Sequence, residues 1–417
     1  MPERSARAGG GTAPRPWITR TVVGIALATL LSDASHEMAT AVLPLYLASV
    51  GLGPAALGMI EGLADFLVSL SKLGGGVAGH KIARKREVAS VGYLVTALGT
   101  WAIAFGQSVA SIVTFRSIAW TARGFRGPLR DDLLAGAVER THYGRAYGLE
   151  RAGDMIGAVA GPLVATLLVG LGVPFRTVIL WTLLPGVGAA AAMFFLTGQR
   201  RARRDVAQAP ARTARPRFPA RFWVFLGGVF LFGLGDFSRT FLIWLAGEAV
   251  GDQGSHAAGT ISIAVLLYTF HNLVSAGAAY PVGALGDRRP KLPLLTAGYA
   301  LGVATNLTLA VFAGSLGWLV VAVVASGVYI AVEETLEKAV AAEQLPAELR
   351  SLGFGILAAT NAVGDMLSSL YVGVLLQAGR PGLAFGLAAG LGTAGVAWLV
   401  LMSRARPSSP SGPAGRR

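Results

Sequence analysis

Three ionisable side chains, Asp33, His36 and Glu37, fall within five positions of an otherwise apolar run. At i, i+3 and i+4 they share one helical face, so two carboxyls and an imidazole meet there. That set can bind a proton or coordinate a cation. It can also serve as one side of an ion pair with Arg116 or Arg239 that holds helices in register. Asp154, one turn beyond Glu150, is a second acid suited to binding and releasing a proton when buried. Its alternative partners are Arg151 and Arg123. Arg116 lies deep in its apolar run, where a guanidinium can hold a carboxylate or phosphate through two parallel hydrogen bonds.

Further candidates come in sets. Glu61 and Asp65 share a face, with Lys72 two turns beyond Asp65, so an internal salt bridge explains part of that group. Asp236 and Arg239 stand in one later run, His271 in the next, and Asp365 near the end. Glu333, Glu334 and Glu337 are too close for all three to be ionised in a low-dielectric site. Glu333 is read as facing a cavity; if its helix stopped near Val332, the three would be a solvated terminus. A divalent metal needs more ligands than the Asp33 cluster offers, with His271 as one source, so no resident metal or other cofactor is expected. Arg126, Arg130, Asp131 and Asp132 read as charge pairs closing an inner gate, with Arg123 and Arg126 expected at the end of their span. Aromatic residues such as Trp120 and Tyr329 line a pathway or mark an interface.

The elements that position these groups follow from composition. The 417 residues are 53% hydrophobic and only 14% charged, with mean hydropathy +0.58. Ordinary soluble chains carry about 25% charged residues, so this is an integral membrane protein. A span of about 20 residues crosses roughly 30 Å of hydrocarbon. Continuous apolar runs at 19–48, 54–79, 88–106, 108–128, 146–170, 176–197, 221–247, 256–283, 292–313, 315–341, 351–376 and 382–402 predict about twelve helices, not a barrel. A net charge of +14 would suggest nucleic acid in a soluble protein. Here the basic residues cluster in alternate connections and at both ends, which predicts a multi-pass inner (plasma) membrane protein with both termini cytoplasmic and no nucleic-acid partner. With no cysteine, disulfides and thiolate metal sites are excluded. The first residues lack the apolar core and cleavage site of a signal peptide.

Ionisable residues occur within the first, second, fourth and fifth spans and return in the seventh, eighth, tenth and eleventh. A charge facing lipid at midplane costs at least ~2.5–3.5 kcal/mol, so every third helix is the one turned to lipid and the other eight surround something polar. The two sets also echo each other. Tyr147-Gly148 through Asp154 and Gly157 recurs as Phe354-Gly355 through Asn361 and Gly364, and Gly75 to Tyr93 recurs as Gly283 to Tyr299. The expected organisation is a disordered tail (1–18), a six-helix half (19–197), a basic linker (198–220), a second six-helix half (221–403) and a tail (404–417).

In RAYGLERAGDMIGAVAGPLVAT, Gly153, Gly157, Gly161 and Ala165 recur every fourth residue and leave one helical face without side chains. Such small-xxx-small faces let helices approach closely in lipid, and Pro162 adds a bend. Gly148, Gly157, Gly161 and Pro162, spaced G-x8-G-x3-G-P, resemble the fifth-helix motif of the major facilitator superfamily, especially its proton-coupled exporters. Ala165 and Thr166 replace the usual trailing glycine pair. Gly283-Ala-Leu-Gly-Asp287-Arg288 resembles the superfamily's GxLxDR loop signature, whereas the first half has Gly79 where its aspartate is expected. The resemblance implies an all-α, pseudo-symmetric membrane fold and proton-coupled efflux of a small molecule, a drug or metabolite, by alternating access. Gly148, Gly153, Gly157, Gly161, Pro162, Gly283, Asp287 and Arg288 would then pack and gate the helices of a monomer. The alternatives are uptake or facilitated passage of an organic anion or divalent metal ion, and a receptor that binds without transport. No phosphate loop, nucleophile elbow or metalloprotease pair points to an enzyme.

Overall fold

The computed structural model describes residues 16–52, 54–198, 217–237, 241, 245, 263–312 and 314–404. Arg239 and the tails lie outside these residues, and of Glu61 and Asp65 only the backbone is described. Among the described residues the chain is helical, without strands. The helices are α1 (Arg20–Ser49), α2 (Pro54–Lys81), α3 (Lys85–Ala102), α4 (Val109–Ala137), α5 (Tyr143–Gly170), α6 (Phe175–Trp181) and α7 (Leu183–Leu196). Beyond residue 216 follow α8 (Ala220–Gly233), α9 (Ile263–Arg288), α10 (Lys291–Phe312), α11 (Leu316–Gln344), α12 (Arg350–Gln377) and α13 (Pro381–Arg404).

Seven stretches among the described residues are long and apolar enough to cross a membrane. They are Lys85–Phe105, Arg140–Gly170, Phe175–Leu196, Lys291–Phe312, Leu316–Gln344, Ala347–Gln377 and Pro381–Arg404. Helices α1, α2 and α4 are as long but carry several of the ionisable candidates. At 1.5 Å per residue, the 28 to 30 residues of α1, α2, α4 and α5 reach about 42–45 Å, more than the hydrocarbon requires.

Local sequence explains the ends. Ser108 accepts from the Ser111 amide and Ser111 reciprocates, a capping box that starts α4. Gly51, Gly172 and Gly379 take positive φ just beyond α1, α5 and α12. In each case the following amide, of Leu52, Val173 or Arg380, bonds back to the carbonyl five residues earlier. This is a Schellman closure, which needs a residue without Cβ at that position. Two boundaries differ from the sequence reading. Helix α4 continues to Ala137 instead of stopping near residue 128, because Pro128 is accommodated within it. The sixth span is broken at Thr182, whose carbonyl accepts a 2.8 Å bond from Ser35 Oγ on α1.

Close approach is set by glycine. A Cβ on Gly153 would fall 2.7 Å from the Ala26 oxygen, on Gly157 2.3 Å from the Leu30 oxygen, and on Gly161 2.5 Å from the Ala34 oxygen. The stripe is therefore the α1/α5 seam. Gly148 and Gly144 turn the other way, with virtual Cβ atoms 2.5 Å from the Ala279 oxygen and 2.2 Å from the Gly283 oxygen of α9. A matching seam joins α2 to α12, where Gly76 abuts the Gly355 backbone and Gly79 abuts Ser351.

These two seams close one end of the molecule. There, a single core includes Tyr93, Leu133, Tyr147 and Met193 from before residue 199 together with Phe222, Tyr299, Leu336 and Phe354 from after residue 216. At the other end the cores are separate. One contains Leu43, Tyr46, Ile112 and Ile179; the other contains Leu309, Leu319, Val372 and Phe385. Among the described residues the molecule is joined at its basic end, and the cores at the opposite end are separate.

Candidate functional site

Helices α1, α4 and α5 bring the first candidates together. Asp33 is 4% exposed, and Arg123 Nη2 on α4 lies 3.1 Å from its Oδ1. The sequence alternatives for this partner were Arg116 and Arg239; Arg123 was assigned to a helix end that α4 does not have. Arg116 instead donates to Thr40 Oγ1 at 3.0 Å and is itself 1% exposed. His36 contacts Glu37 (Nε2 to Oε1 3.4 Å) and packs edge-on against Trp120 at 4.2 Å. The Arg116 and Arg123 guanidiniums stand 4.8 and 5.0 Å from the same indole ring. Those contacts are cation–π, favourable where the groups are shielded from water.

Across the α1/α5 seam, Asp33 and Asp154 lie close enough for each carboxyl to act on the charge of the other. The absence of a Cβ on Gly157 permits this, since its virtual Cβ would be 3.1 Å from Asp33 Cβ. Asp154 also accepts from Arg151 Nη1 at 2.6 Å, so both partners weighed in the sequence reading are close by, Arg151 directly and Arg123 through Asp33.

From Arg151 the charges continue across the closed end. Arg151 reaches Glu334 on α11 at 3.7 Å, and Glu334 is 3.8 Å from Lys338. Lys338 lies 3.7 Å from Glu150 on α5, which Arg130 holds at 2.9 Å while also bonding Asp131. Lys85 pairs with Asp132. The Asp287 carboxylate accepts from the amides of Gly144 and Arg145 at 2.8 and 3.1 Å, capping the positive N-terminus of α5. Arg288, next to it, is exposed. Where the first half lacks the matching aspartate, Ser351 Oγ fills the space beside Gly79.

The remaining candidates lie apart from this chain of pairs. Asp236 accepts from Tyr329. His271, 2% exposed, meets Ser326 Oγ at 3.0 Å through Nε2. Helix α11 runs twelve residues past Val332, so Glu333 and Glu337 are buried and not a solvated terminus. Tyr299 donates to Glu337, and Asn361 donates to its other oxygen at 2.7 Å. Asp365 is exposed on α12. Among the described residues no three His, Cys, Asp or Glu side chains gather to hold a metal ion. The sequence reading did not propose Arg123, Glu150, Arg151, Lys338 or Glu337 as site residues. The visible signals were the i, i+4 spacing of Glu334 and Lys338 and the nearness of Arg151 and Arg123 to Asp154.

Long apolar helices packed along glycine seams around paired interior charges mark a multi-pass membrane protein. The family model for the Major Facilitator Superfamily matches residues 25–273 and 240–417, and the chain belongs to that superfamily. An uncharacterised MFS-type transporter of Methanocaldococcus jannaschii is 24% identical over 86% of this chain and 89% of its own length. The human organic anion transporter MFSD10 superposes with a TM-score of 0.73 at 16% identity, over 93% of this chain and all of that one. The E. coli fucose:proton symporter gives 0.69 at 14% identity, over 94% of this chain and all of that one. The protein is thus a multi-pass membrane transporter of the superfamily.

Proposed function

We infer that the protein is a secondary transporter that exchanges a small molecule against protons, the Asp33/Asp154 pair carrying the coupling proton. The observation behind this is the placement of two interior carboxyls against each other across the glycine seam, with Arg123 on one and Arg151 on the other. Adding a proton to the pair weakens its hold on both arginines. Arg151 also reaches Glu334 on the far side of the closed end, so protonation would be felt by the contacts that keep that end shut. Residues 19–197 and 221–403 act as the two rocking halves, 198–220 as the linker between them, and the basic end faces the cytoplasm of the inner membrane. Export is favoured over uptake by the likeness of the fifth-helix motif to that of proton-coupled exporters; Gly157 and Gly161 of that motif lie in the α1/α5 seam and Gly148 faces α9. One pH unit supplies ~1.4 kcal/mol per proton, and membrane potential adds about 2.3 kcal/mol per 100 mV for each net charge moved.

The test uses proteoliposomes with an imposed pH gradient and an internal pH dye, given organic acids, cationic drugs, sugars and divalent metals in turn. Proton movement that depends on one class of compound is the expected result. Equilibration of labelled compounds without proton movement would make the protein a facilitator.

A further inference from the structure

Most interior cations among the described residues are held by an acid or a hydroxyl. Arg123 holds Asp33, Arg130 holds Asp131 and Glu150, Arg151 holds Asp154, and Lys338 lies between Glu150 and Glu334. Arg116 and Arg126 donate to Thr40 and Ser32. Lys72 on α2 makes no hydrogen bond or ion pair with another described residue. It is partly buried at the α2/α12 seam, where its carbonyl lies 3.1 Å from the virtual Cβ of Gly355. The charges facing it are Glu334 and Lys338 on α11, Asp365 on α12 and Arg123 on α4. Of these acids Glu334 is already committed to Arg151 and Lys338.

Among the buried donors that lack an acceptor, two lie side by side on α4. Arg123 uses Nη2 for Asp33, while its Nη1 is buried without an acceptor, as is Nε1 of Trp120 beside it. Buried donors without acceptors are costly, and native structures leave few of them. Three unmatched N–H groups, two of them on cations, call for an acceptor that carries negative charge. We propose that Lys72 of α2 and Arg123 of α4, where these two helices meet α12, receive the acidic group of a small organic anion. Trp120 Nε1 is the third donor. Charge-assisted bonds from an ammonium and a guanidinium select an acid over a neutral or cationic compound of the same shape. The proposal names the substrate class for the transport reading above, and it rests on that reading for the location of the pathway.

The test is equilibrium binding to the purified full-length chain in detergent, read by tryptophan fluorescence and thermal unfolding. The probes are naphthalene-2-carboxylate, naphthalene-2-carboxamide and 2-naphthylmethylammonium. The carboxylate alone is expected to bind and to raise the melting temperature. Lys72→Met is expected to weaken its binding roughly 10- to 100-fold, the loss of one charge-assisted bond, and Lys72→Arg to recover most of it. Binding of the ammonium compound, equal binding of all three, binding of none, or unchanged affinity in Lys72→Met would each overturn the proposal. The three-probe comparison needs no variant, so it decides even if Lys72→Met fails to fold. Anion binding in a protein that moves no protons would remove proton coupling and leave this site standing; proton-coupled flux of a cation without anion binding would do the reverse.

Discussion

Arg130 holds two acids at once, Asp131 and the 2%-exposed Glu150, and its removal leaves a buried carboxylate with only Lys338 at 3.7 Å. Breaking a buried pair by deleting one partner costs about 3–5 kcal/mol, whereas exposed pairs are worth about 0–1 kcal/mol. Arg130→Met should therefore lower the melting temperature in detergent clearly, and Arg289→Met, at an exposed position, hardly at all. Equal shifts would mean that the closed-end network adds nothing to stability. At the same scale, Glu337 is held by neutral donors, Tyr299 and Asn361. Tyr299→Phe removes one of them and should cost about 1–3 kcal/mol by the same melting assay, the penalty for leaving that oxygen unpartnered.

At the level of elements, the α1/α5 seam depends on glycine at a fourfold spacing. Gly157→Ala places a Cβ 2.3 Å from the Leu30 oxygen, so backbone must move, at about 1–3 kcal/mol. Gly170→Ala on the same helix meets nothing within 4 Å and should be neutral or slightly stabilising. Comparing the two unfolding temperatures checks whether the stripe is a packing surface. This seam was legible in the sequence because a glycine every fourth residue has few other uses in lipid. The register of α4 was not. Arg123 and Arg126 looked like a helix end because Gly124, Gly127 and Pro128 follow closely, yet Gly124 serves to admit α2, with a virtual Cβ 2.4 Å from the Val68 oxygen. Local breakers were overridden by tertiary packing, and the partner of Asp33 was hidden with them. Likewise the burial of Glu337 depends on how far α11 extends, and apolar runs do not mark where a helix ends once charged residues are paired.

For the whole molecule, the proposed rocking requires the joined basic end to open, while the cores of the opposite end, among the described residues, are already separate. The chain has no cysteine, so introduced pairs report cleanly. A Cβ on Gly79 would lie 3.2 Å from Ser351 Cβ, close to the separation found in disulfides. The double variant Gly79→Cys with Ser351→Cys should cross-link under mild oxidation and lose transport, with activity returning on reduction. Full transport by the cross-linked protein would show that the α2/α12 seam does not open.

The most direct measurement compares wild type, Asp33→Asn and Asp154→Asn in proteoliposomes, for both pH-driven accumulation and exchange at equal pH. Both variants should keep exchange and lose accumulation against a gradient, because the pair then has no proton to share. Unchanged pH-driven accumulation in both would remove these carboxyls from the coupling mechanism.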